Sequence, residues 1–119
     1  MRRLSWIVLV LALLAAAPSA QEIFTPGNGV TPPAPTKTVK PDYTEAAKAA
    51  RIEGSVILQA VVQADGTIDN ITVTQSLDAV NGLDEQAVKA LRQWEFKPGT
   101  KDGKPVAVRV TVETKFRLE

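Results

Sequence analysis

Six carboxylates are the side chains best suited to chemistry in this chain: Glu53, Asp65, Asp69, Asp84, Glu85 and Asp102. A general acid and a general base could be drawn from such a set, and spacing alone leaves that open. Yet the sequence has no His and no Cys. The commonest general base, the commonest metal ligand and the thiol nucleophile are therefore missing. No phosphate-binding glycine loop and no metal-ligand spacing accompany the acids. Asp65 and Asp102 each precede a glycine, where turn residues belong. Asp84 and Glu85 open a candidate helix, where carboxylates oppose the positive end of the macrodipole. The expectation is a protein that is not an enzyme, with no catalytic residue, no metal and no cofactor.

Backbone chemistry is the alternative, and one stretch offers it. Pro105 to Leu118 reads PVAVRVTVETKFRL. Val106, Val108, Val110, Val112, Thr114, Phe116 and Leu118 fall on one parity; Ala107, Arg109, Thr111, Glu113, Lys115 and Arg117 fall on the other. That is the period of a long strand with one dry face and one wet face. Nothing else in the chain alternates as cleanly.

The elements before it set its place. Thr44 or Asp42 can cap a short helix running from about Thr44 to Arg51, rich in alanine. Tyr43, just before it, is either a core aromatic or a partner contact. Gly54 ends that region, and Ser55 to Gln63 is a β-branched run suited to a central strand. Asp65-Gly66 marks a tight hairpin turn. The second strand is Ile68 to Ser76, with Ile71 and Val73 on its dry face. A second helix spans Leu83 to about Trp94, with Leu83, Ala87, Ala90, Leu91 and Trp94 on one face. The order α-β-β-α-β predicts an α+β fold: a small three-stranded antiparallel or mixed sheet with two helices on one face. The crossover rule places the last strand beside the first, antiparallel to it, at an edge of the sheet. An edge strand carries unpaired N–H and C=O groups, and an extended peptide can add to them as another strand. Two other occupants suit the same edge: the 21–40 arm, or a second copy in a homodimer.

Residues 1–20 have the layout of a secretory signal peptide: Arg2 and Arg3, a short apolar centre, then Pro18-Ser19-Ala20. The apolar run is shorter than the roughly 20 residues of a spanning helix. The expected outcome is cleavage after Ala20; an uncleaved anchor is the alternative. Residues 21–40, with four prolines and two glycines, make a Pro/Gly-rich extended arm or linker. Residues 41–119 form the domain. Loss of residues 1–20 lowers the basic count from 14 to 12 against 13 acidic groups, so net charge becomes 12 − 13 = −1. Such a nearly neutral exported domain is a poor fit to nucleic acid. The basic groups concentrate after residue 88, around the long strand.

Several runs together resemble a known family. They are Pro41-Asp42-Tyr43; Ala47; Arg51-Ile52-Glu53-Gly54-Ser55-Val56; Asp65-Gly66 with Val73 and Ser76; Gly82-Leu83-Asp84 with Ala87; Trp94 to Gly99; and Asp102 to Val106 running on to Phe116-Arg117-Leu118. In that order they are similar to the TonB carboxy-terminal domain, over about Pro41 to Leu118. The resemblance implies a periplasmic module that grips the TonB box, a short extended segment of outer-membrane transporters. It implies a role in energised transmembrane transport across the cell envelope. The box would pair with the last strand, so the implied partner-binding residues are Tyr43, Arg51, Val106, Val108, Arg109, Val110, Val112 and Thr114. The family often has Tyr-Pro where this chain has Tyr43-Thr44. An inner-membrane motor complex enters only if the amino-terminal segment is retained. With that segment cleaved, a freestanding periplasmic binding module is expected, and a self-associating structural or adaptor protein of the envelope is the alternative.

Overall fold

A computed structural model describes residues 21–119. The signal or anchor reading of 1–20 lies outside the described residues. The elements are β1 (Val30–Thr31), β2 (Ala34–Lys37), α1 (Glu45–Ala49), β3 (Gly54–Val62), β4 (Ile68–Gln75), α2 (Leu83–Arg92), β5 (Glu95–Lys97), β6 (Gly99–Lys101), β7 (Lys104–Val106) and β8 (Val108–Phe116). The main sheet has the order β4-β3-β8, with antiparallel neighbours. The expected α+β fold is present: the last strand lies at an edge, beside and antiparallel to the first strand of the sheet.

Thr44 caps α1, its hydroxyl accepting the Ala47 N–H at 3.1 Å. The helix closes when Ile52 N–H donates to Ala47 O and Arg51 N–H to Lys48 O. This is a Schellman closure with Arg51 in the left-handed position, φ 56°. The second helix starts at Gly82 without a side-chain cap. The loop before it is held instead by Asp84, which accepts the N–H groups of Leu77 and Asp78 at 2.9 Å each and the Ser76 hydroxyl.

The core lies between the helices and one face of the sheet. Val56, Leu58 and Ala60 of β3 alternate onto that face and are fully buried with Ala47, Leu83, Ala87, Leu91 and Phe116. Ile71 joins this core, whereas Val73, opposite Leu58, remains exposed on the outer strand. The β3–β4 loop differs from a two-residue primed turn. Gln63 N–H donates to Thr67 O and Gly66 N–H to Gln63 O. Only Gly66 has positive φ, 89°, while the Asp65 carboxylate accepts Thr67 N–H. A longer loop with one left-handed residue needs glycine once, not twice.

Two further differences matter for the site. The stretch from Pro105 to Leu118 is not one strand. It breaks at Ala107, which is buried although its parity is that of the wet face. Val106 consequently belongs to β7, paired with Gly99 of β6 and not with the main sheet. Second, the arm folds against the domain. Gly27 and Val30 exchange hydrogen bonds around Asn28 (φ 52°) and Gly29 (φ 87°), a primed turn that feeds β1 onto β6. Then β2 pairs with β5. Gly99 is required where β1 crosses, since a Cβ there would lie 2.5 Å from Thr31 O and 2.7 Å from a Val108 methyl.

Candidate functional site along the β8 edge

The nine residues of β8 pair with β3 in an unbroken register, from Val62↔Val108 to Gly54↔Phe116. Val108 and Phe116 are buried, Val110, Val112 and Thr114 are half-buried, and Arg109, Thr111, Glu113 and Lys115 are exposed. On the other side of β8, one backbone partner is present. Phe24 N–H donates to Ala107 O at 2.9 Å, and Arg109 N–H donates to Phe24 O at 2.9 Å. That contact fixes the phase of the strand. N–H and C=O of one residue in an antiparallel strand point the same way and alternate along it. Arg109 points away from β3, and so Thr111, Glu113 and Lys115 also direct their main-chain donors and acceptors to the open side. Val108, Val110, Val112, Thr114 and Phe116 direct theirs into the ladder with β3.

The free length is bounded at both ends. Phe24 occupies the Val108 end. At the other end Leu118 N–H donates to the Glu53 carboxylate at 2.6 Å, which ties down the chain after β8. Between them a groove of about 540 Å³ runs along Arg109 to Val112. Its far wall is the arm and the segment after α2: Pro26, Pro32, Pro33, Pro35, Trp94 and Phe96. A second hollow continues past Glu113, Thr114 and Lys115, walled by Thr38 to Pro41 and again by Trp94. Trp94 holds this wall in place, its indole N–H donating to Val39 O at 3.1 Å. Prolines suit the role, because they add apolar surface to the groove without adding donors that would compete for the edge.

The sequence-derived residues divide by position. Val108, Arg109, Val110, Val112 and Thr114 are all on β8. Tyr43 lies under its end: the hydroxyl donates to Ile52 O, and the ring meets Phe116 edge-on at 5.5 Å. Burial, and then the nearby Glu53 carboxylate, push the Tyr43 phenol pKa upward. Arg51 is exposed at the helix closure, and Val106 sits across the strand break. Thr111, Glu113 and Lys115, whose main-chain groups face the groove, were not singled out by side-chain pattern. The arm was expected as one possible occupant of the edge but not as a wall beside it, although Gly27-Asn28-Gly29 is a hairpin signal standing in the sequence. No group of three or more His, Cys, Asp or Glu able to hold a metal occurs among the described residues. No ion pair among them uses a β8 side chain.

Fold and groove together define a class: a small α+β domain with one long, regular sheet edge left accessible. The comparisons with known proteins name it. Residues 39–118 match the model of the Gram-negative bacterial TonB protein C-terminal family, and the chain belongs to that family. It is 36% identical over 84 residues to Protein TonB of Vibrio cholerae, covering 68% of this chain and 33% of that protein. It is 38% identical over 78 residues to Protein TonB of Xanthomonas campestris, covering 66% and 34%. The chain thus spans about a third of the length of these curated relatives. The solution structure of the Pseudomonas aeruginosa TonB C-terminal domain superposes with a TM-score of 0.61 at 28% identity, covering 83% of this chain and 97% of that one.

Proposed function

We propose that this domain is the partner-gripping part of a TonB-type energy-transducing system, working in the periplasm without catalysis. An extended segment of an outer-membrane TonB-dependent transporter, the TonB box, adds to β8 as a fourth strand. Thr111, Glu113 and Lys115 supply the ladder, and Val110, Val112, Trp94 and the arm prolines supply the apolar contact beside it. Tyr43 supports the end of this strand through Phe116, and Arg51 closes α1.

The observation that carries the reading is the contrast between the two edges of the sheet. The register of β4 on β3 shifts twice, and Asn70 takes a left-handed φ of 53° within it. Bulges of this kind spoil an edge for pairing. The β8 register has no shift over nine residues. Only β8 presents an evenly spaced row of donors and acceptors.

The test is a titration of the full chain with a synthetic TonB-box peptide, followed by NMR. The largest amide shifts are expected at Thr111, Glu113 and Lys115. Shifts confined to β4, or a tight dimer by light scattering that ignores the peptide, would refute strand addition at β8.

A further inference from the structure

The edge already has one tenant. Phe24 makes a single rung of a parallel ladder centred on Val108. The Lys101 ammonium lies over its ring, 5.1 Å from the ring centre. A parallel ladder advances by two residues per rung on each strand. The next rung would therefore have residue 26 donating its N–H to Arg109 O and accepting from Thr111 N–H. Residue 26 is Pro26, which has no N–H to give. Pro26 lines the groove together with Arg109 and Thr111; its carbonyl could still accept, but the ring stands where the N–H would point at Arg109 O and holds the two backbones apart. Immediately beyond it, the Gly27–Val30 turn carries the chain off the edge and onto β6. The arm thus starts to zip onto β8 and is stopped after one step by the residue that cannot take the second.

We propose that the arm is a built-in competitor for the β8 edge. Pro26 limits it to one rung, which leaves Thr111 to Lys115 free and makes Phe24 the point where an added strand must end. This rests on the reading of β8 as the partner edge. Replacing the ring at position 26 by an N–H lets that residue donate to Arg109 O and draws its carbonyl onto Thr111 N–H, which shortens the edge available to a partner. Removing the Phe24 rung has the opposite effect and lengthens it to include Arg109.

Two variants of the full chain, Pro26→Ala and Phe24→Pro, test this with two readouts. The first is amide hydrogen exchange without ligand; the second is the Kd of a fluorescein-labelled TonB-box peptide. In the parent chain the Arg109 amide, bonded to Phe24 O, is expected to be protected and the Thr111 amide to exchange freely. Pro26→Ala is expected to slow exchange at Thr111 and weaken peptide binding by about 2–10-fold, the worth of roughly one net hydrogen bond. Phe24→Pro deletes the donor to Ala107 O and sets its ring against β8, so the rung is expected to open, exposing the Arg109 amide and tightening binding by a similar factor. Unchanged Thr111 exchange and unchanged Kd in Pro26→Ala would overturn the stop. Slowed Thr111 exchange in a chain that binds no peptide in any form would retain the stop but overturn the competition, and with it the docking reading.

Discussion

Glu113→Pro is the most direct perturbation of the proposed ladder. The Glu113 N–H faces the groove, so a proline there deletes no bond to β3 and is tolerated as edge-strand prolines are. Thr111, Glu113 and Lys115 together offer one donor and one acceptor each. At about 0.5–1.5 kcal/mol net per bond, the whole set contributes on the order of 3–9 kcal/mol before the cost of ordering the partner. Glu113 is the middle member. Its replacement removes one bond, leaves a partner carbonyl without a donor, and sets the ring against the incoming strand. The expected loss is about 1–3 kcal/mol, or roughly 5–150-fold in Kd. Val112→Pro is the matched control one residue away. It removes a donor that points into β3 and a side chain that packs against the core, so it should destabilise the fold itself. The assay pairs a fluorescence anisotropy titration of a labelled TonB-box peptide with a thermal melt of each variant. A folded Glu113→Pro protein with unaltered Kd would refute ladder formation on that side. Equal melting losses for the two prolines would refute the assigned phase of β8.

Three further perturbations probe the frame. Asp84 is desolvated by partial burial, but the N–H of Asp78, the Ser76 hydroxyl and the N–H of Leu77 outweigh that and hold its carboxyl below the usual range. A depressed carboxylate pKa contributes stability above the unfolded value and loses it as pH falls through the folded one. Asp84→Asn should therefore show a smaller drop in urea midpoint between pH 7 and pH 3 than the parent chain. Arg51 pays for a left-handed backbone with an L side chain, so Arg51→Gly should leave stability unchanged or raise it by up to about 1 kcal/mol, read as a higher Tm. Leu58 is fully buried at the centre of the core, and Leu58→Ala should cost about 2–5 kcal/mol in chemical denaturation.

The main sheet and α2 were legible because long elements repeat their pattern, and the five-residue α1 was legible from its Thr44 cap and its alanines. In β8 the valines at alternate positions are half-buried or buried as their period requires. The break before it was hidden by Ala107, a small residue that interrupts neither a dry nor a wet sequence pattern. The arm was legible as a possible occupant of the edge, but its strands were not, for a different reason. Strands of two and four residues cannot establish a period, and prolines made the segment resemble a linker. Its docking is instead set at single points: the Asn28-Gly29 turn, the Trp94 bond to Val39, and the space left by Gly99. The phase of the edge was unreadable from side chains altogether. Side-chain direction and hydrogen-bond direction both alternate with period two, but the offset between them depends on which residues meet β3. One contact, Arg109 N–H to Phe24 O, settled it.

A strand nine residues long with an unbroken register is also a hazard, since any other strand can pair with it. The structure limits that hazard without closing the edge. Exposed charges at Arg109, Glu113 and Lys115 crowd its wet flank, and the proline wall with Trp94 and Phe96 lines its apolar flank. Phe24 and the Glu53 bond to Leu118 fix its two ends. What is left is three outward-facing residues between fixed stops. A short extended segment can satisfy all of them, while a longer strand meets Phe24 at one end. Under the proposed docking, selectivity for a short segment would follow from the length of edge left unpaired, and it is the arm, a piece of chain resembling a linker, that would set that length.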